Sequence, residues 1–118
     1  MSLFAACTYE KAELKVECGL PETVSFSNDI VPIFNKHCNT AGCHSGPSPQ
    51  AGLNLEASIA YSQLMSSGSG YVDTVTPKYS VLHAYMNSAS DPMPPTGKLD
   101  QCTVDLIYKW IEQKAKNN

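Results

Sequence analysis

The chain has 118 residues, with eight lysines and no arginine against eleven acids, and a net charge of −3. That length suits one domain whose core gives modest stability, to which a bound cofactor or a crosslink would add. Phosphate recognition leans on arginine and clustered positive charge, so scattered lysines argue against a nucleic-acid partner, and no apolar run reaches the length of a membrane span.

Residues 1–23 are polar without clear periodicity and read as an arm leading into a domain over 24–118. "SFSNDIVPIFNKHC" carries the first helix signal. Ser27 is the cap candidate, Asp29 suits the positive end of the dipole, and Ile30, Ile33, Phe34 and Cys38 recur at helical spacing beside Val31. Pro32 is expected only near a first turn. "SGPSPQAG", residues 45–52, is loop. Leu53 and Leu55 then offer apolar contacts, a short helix is expected over 57–65, and "SSGSG" stops it. "TPKYSVLHAYM" predicts another helix, with Thr76 at the cap, Pro77 at the first helical position and Val81, Leu82, Tyr85 and Met86 on its apolar side. "SASDPMPPTG", residues 88–97, is a loop in which three prolines stiffen the chain around Met93. A last helix follows Asp100, its cap candidate, with Thr103 at the third position. Val104, Ile107 and Ile111 line one face, Leu106 and Trp110 widen it, and Asp105–Lys109 and Glu112–Lys116 form acid-before-base pairs. No segment reads as strand. The class is all-α: about four helices joined by long loops.

"KHCNTAGCHSG", residues 36–46, places Cys38 and Cys43 five positions apart with His44 directly after the second. Three chemistries use such residues. A structural zinc site needs four ligands, and the fourth here would have to be His37, His83 or a distant cysteine. A local disulfide is geometrically open, but it leaves His44 without a role. Covalent haem attachment uses two thiols and a histidine immediately after the second, in the usual form C-x-x-C-H. Four residues intervene here, and Gly42 with small Ala41 would let the extra pair bulge. Met93, 49 positions beyond His44, offers a soft thioether for the second axial place on an iron.

The segments "FSNDIVPIFNKHC" leading into "CH", then "AGLNL", "TPKYSVLHAYM" and "MPPTGKLDQCTVDLIYKWI", resemble a small class I cytochrome c of the kind found as exported bacterial domains. The resemblance covers residues 24–116, and its most specific parts are Cys43–His44 and "MPPTGKL" followed by "IYKWI". The widened cysteine spacing is its one departure. The resemblance implies the class I cytochrome c fold wrapped around one covalent haem c. Cys38 and Cys43 would be its thioether anchors, His44 and Met93 its axial ligands, and Leu53, Leu55 and Leu82 its wall. Trp110 would belong to that wall or to the contact between first and last helices. The second ring nitrogen of His44 is expected to donate to a carbonyl within 45–49. Met65 and Met86 are expected as packing residues, His37 on the surface and His83 on a helix face. The implied function is one-electron transfer to transient redox protein partners, by a monomer and not an enzyme. The alternative is a haem peroxidase or gas sensor with a displaceable Met93.

"LFAAC" resembles the end of a bacterial lipoprotein signal, with Cys7 as the lipidated residue anchoring the chain to a membrane; a stray cysteine in a tail is the plainer alternative. If Cys38 and Cys43 act together and Cys7 carries lipid, Cys18 and Cys102 remain, either as a disulfide or as two unrelated buried thiols. The resemblance favours the disulfide, tying the arm to the closing helix. Together these features imply export to the periplasm or anchoring as a lipoprotein.

Overall fold

The computed structural model of the chain describes residues 17–40 and 42–118, so Cys7 and Ala41 lie outside the described residues. Within them the secondary structure is helical, with no strand. Helix α1 spans residues 26–38. Its two ends, Phe26–Ile30 and Phe34–Cys38, are wide π-type turns around a short α-helical stretch, Val31–Ile33. Ser25, not Ser27, is the cap: its Oγ accepts from Asn28 N at 3.0 Å while its own N–H donates to Asp29 Oδ2 at 2.8 Å. Pro32 falls mid-helix rather than in the first turn. It has no N–H to give the ladder, and the helix accommodates it with longer-range bonds on either side, Ile30 N to Ser25 O at 3.3 Å and Asn39 N to Phe34 O at 2.8 Å.

Helix α2, Ala60–Leu64, is shorter than the expected 57–65, because Ile59 takes non-helical angles (φ −128°, ψ −4°). The helix expected from Pro77 is broken in two. A 3₁₀ turn, Pro77–Tyr79, is followed by Ser80 in extended conformation (φ −60°, ψ 131°) and then by α3, Val81–Met86. Ser80 is fully buried, and its Oγ accepts from Asp73 N at 2.8 Å instead of capping α3. Thr76 makes no side-chain cap bond.

Helix α4, Gln101–Glu112, starts as the sequence implies: Asp100 accepts from both Thr103 N and Thr103 Oγ1 at 2.9 Å. Its Val104, Ile107, Trp110 and Ile111 are buried. The expected Asp105–Lys109 pair is replaced by other partners. Lys109 Nζ reaches Pro21 O at 2.6 Å, and Asp105 accepts from Gln101 Nε2 at 2.8 Å. The core between α1 and α4 is aromatic. The Phe26 ring lies 5.1 Å from that of Trp110, 5.3 Å from Tyr61 and 6.2 Å from Phe34. The polar handles of this cluster are satisfied, Trp110 Nε1 on Lys116 O at 2.9 Å and the Tyr61 hydroxyl on Ala115 O at 2.8 Å.

Both ends of the described chain fold onto this packing. Cys18 and Cys102 are joined as a disulfide. Gln113 holds the backbone of the arm from both sides, accepting from Val24 N at 2.9 Å and donating to Glu22 O at 2.8 Å. Asn118 does the same for the start of α1, accepting from Phe26 N at 2.8 Å and donating to Val24 O at 3.2 Å.

Candidate cofactor site

Beside the aromatic cluster, against Phe34, the chain leaves space. An apolar cavity of about 180 Å³ is walled by Phe34, Leu53, Leu55, Leu82, Met86 and Ile107. A second cavity of about 210 Å³ opens beside Cys43, Gln50, Pro94 and Pro95. Cys38, His44 and Met93 line both, so the two cavities adjoin across these three side chains. A larger concavity of about 490 Å³ is an open polar groove bordered by Asn35, Asn39 and Glu56, and it touches neither a thiol nor a methionine.

Local backbone chemistry brings the sulfurs and the imidazole together. Cys38 ends α1, Cys43 N bonds Thr40 O at 3.0 Å, and His44 N returns to Cys38 O at 3.1 Å. The widened spacing is therefore closed on itself, and Gly42, at φ 84°, supplies the left-handed residue such a bulge needs. Residues 53–55 then run back along His44. Leu55 N donates to His44 O at 2.8 Å, and His44 Nδ1 lies 2.9 Å from Leu53 O. The carbonyl partner is thus Leu53 rather than a residue of 45–49, because Gly46 (φ 79°) and two prolines turn that stretch away. A carbonyl only accepts, so Nδ1 carries the proton and Nε2 keeps its lone pair for a ligand. Met93 is half-buried, and its N–H donates to Tyr85 O at 3.1 Å, which ties the proline-rich loop to α3.

Cys38 and Cys43 are both free thiols. Burial, helped by the neighbouring Cys43, pushes the Cys38 thiol up to about 11, so it stays protonated at neutral pH. Among the described residues no three Cys, His, Asp or Glu side chains converge as a zinc centre requires. The residues present are two unpaired thiols, an imidazole with one nitrogen fixed and one free, a thioether, and apolar walls.

Other site expectations divide. Leu53, Leu55 and Leu82 all line the apolar cavity. Trp110 does not; it is the anchor between α1 and α4. Met86 is buried, but it also walls the cavity, and Met65 packs against the core. His83 stacks on Tyr108 with ring centroids 4.6 Å apart. Tyr85 lines the apolar cavity with Val81, Leu82 and Met86, the side on which the sequence puts it, whereas Tyr71 and Asp91 at that cavity and His37 at the second were not legible in the sequence. Tyr71 follows a glycine-serine run with no periodicity to place it. His37 precedes Cys38 in a wide turn whose geometry a 3.6-residue period does not describe. Comparison of the chain with protein-family models, with curated proteins and with solved structures returns no match.

Proposed function

We propose that this chain is a one-electron carrier of class I cytochrome c type, holding one covalent haem between the two cavities. The observation that carries the reading is the shared wall: both thiols, the oriented imidazole and the thioether border the same space. Bound there, the haem would supply the one-electron Fe(III)/Fe(II) chemistry. Cys38 and Cys43, both free thiols, would hold it covalently as thioethers. His44 Nε2 and the Met93 sulfur would be the ligands that hold its iron. Phe34, Leu53, Leu55 and Leu82 would keep water out, and low polarity with thioether ligation favours the less charged, reduced centre. The second cavity, bordered by Gln50, Pro94 and Pro95, is the edge through which a redox protein would dock weakly and briefly. Export, a lipid on Cys7 and a monomeric state belong to the same reading.

The test is the intact mass of the chain after export with haem-maturation machinery. A porphyrin adduct that survives denaturation, and is lost in the Cys38→Ala, Cys43→Ala double variant, is the expected result. An unmodified mass overturns the reading. A haem that binds carbon monoxide readily and lacks the sulfur-to-iron band of the oxidised protein would instead favour the catalytic or gas-binding alternative.

A further inference from the structure

The proximal segment is held by two side chains that touch no part of the cavity. Residues 53–56 lie alongside 44–46, and their contacts alternate. Leu53 O and Leu55 N both engage His44. Between them Asn54 points the other way: its Nδ2 donates to Gly46 O at 3.3 Å, and its Oδ1 accepts from Glu56 N at 2.8 Å. One oxygen of Glu56, Oε2, accepts from Gly46 N at 2.8 Å and from Asn54 Nδ2 at 3.1 Å. Gln63 Oε1, from α2, accepts from Asn54 N at 3.2 Å. The loop 45–52 contains three glycine or alanine residues at positive φ (Gly46, Ala51, Gly52), and its one regular element is a single 3₁₀ turn, Gln50–Gly52. These side-chain bonds add to the backbone bonds that close it, Gln50 N to Cys43 O and Leu55 N to His44 O, both at 2.8 Å.

We propose that Asn54 and Glu56 form a latch that fixes the Leu53 carbonyl against His44 and thereby sets the tautomer, ring angle and donor strength of the proximal imidazole. Both are positioning residues, since neither meets the imidazole itself. The inference rests on the carrier reading for its consequence at iron, but its geometry is a property of the chain alone. The Glu56 carboxyl is held below its usual range by the Gly46 N–H and by Asn54, as expected of an acceptor with a lasting partner. A strong Nδ1–H···O=C bond makes the imidazole a better donor and favours the oxidised metal, so weakening it should raise the reduction potential.

Three variants are compared with the full chain: Glu56→Ala, Glu56→Gln and Gln113→Ala. In the haem-free chain, ¹⁵N NMR of His44 should show the Nδ1–H tautomer for wild type, a shift toward the Nε2–H form for E56A, and the wild-type signature for E56Q. The rescue is expected because both bonds fall on one oxygen, which an amide reproduces. Q113A removes bonds to Glu22 and Val24, none of them to residues 44–56, and should leave His44 unchanged. In the haem-loaded chain E56A should raise the potential relative to wild type, E56Q and Q113A. Unchanged tautomer and potential in E56A would overturn the latch while leaving the carrier reading intact. Equal shifts in E56A and Q113A would reduce the effect to general loosening and overturn it as well. A chain that never takes up haem would overturn the carrier reading and the potential-setting role, while a tautomer shift confined to E56A would still support the latch.

Discussion

The two sides of this molecule are built on opposite plans. Around α1 and α4 the space is filled: Ile30, Phe34, Trp110, Ile107 and Ile111 are fully buried, three aromatic rings meet Phe26, and Asn118, Gln113 and a disulfide pin both chain ends. Around His44 and Met93 the wall borders empty space: Cys38, His44, Leu82 and Met93 are half-buried, Leu53 and Leu55 come from a loop, and Phe34 and Ile107 back it from the filled side. A small chain has little burial to distribute. Concentrating it around the rings of Phe26 and Trp110 leaves a gap that other core side chains, Phe34, Leu55 and Ile107 among them, only border.

Truncation on each side should expose this contrast most strongly. Trp110→Ala removes a fully buried ring and its bond to Lys116 O, and should cost about 3–5 kcal/mol in urea unfolding. Leu82→Ala trims a half-buried side chain that already borders space, and in the haem-free chain should cost well under the ~2 kcal/mol lower bound of core leucine truncations. Equal costs would mean the cleft is no gap at all. Next in size is reduction of Cys18–Cys102, which closes a loop of sequence separation 84. Opening it should lower unfolding stability by about 2–4 kcal/mol. NMR shifts at His44 should stay unchanged, since the bond staples only the filled side. A His44 signal that moves with reduction would show the two sides to be coupled.

How far the sequence foretold this layout differs between the sides. The helical class, the α4 face and the Asp100 cap were legible because each is a local rule of period or capping. The cap of α1 was misplaced by two residues. Ser25 and Ser27 are equally suited by type and both hydroxyls reach Asn118 O, from the far end of the chain, but only Ser25 Oγ also accepts from a helix N–H, that of Asn28. The helix expected from Pro77 broke because Ser80 is buried against Asp73, a tertiary demand that propensity does not see. In the cleft, Cys38, Cys43, His44 and Met93 could be named from residue type and spacing. The carbonyl that orients His44 could not, because it depends on which later segment returns alongside.

Smaller effects sharpen the same division. Ser25→Ala removes the α1 cap and its contact with Asn118 O, and should cost about 1 kcal/mol, read as a lower urea midpoint with an unchanged slope. An unchanged midpoint would mean that Asn118 alone secures the start of α1.

The smallest effects are electrostatic, and they use one device on each side. Asp100 is held below its usual carboxyl range chiefly by the Thr103 N–H, then by the Thr103 hydroxyl, and Glu56 by the Gly46 N–H, then by Asn54. A carboxylate whose folded value is depressed adds stability that is present above the unfolded value, about 4, and is lost as pH falls through the folded one. Both groups are exposed, so each contribution is small and weakened by salt. Asp100→Asn keeps an oxygen for the cap and removes the charge. Below about pH 4 its stability should therefore fall less steeply with acid than that of wild type. Glu56 closes a loop rather than starting a core helix. Its protonation should speed hydrogen exchange at Gly46 and leave global unfolding almost unmoved, because local openings on a lightly packed side need not involve the filled one. If E56Q flattened the global acid-unfolding curve as much as D100N, the loop would be part of the same cooperative unit as α4, and the division into a filled and an open side would fail energetically.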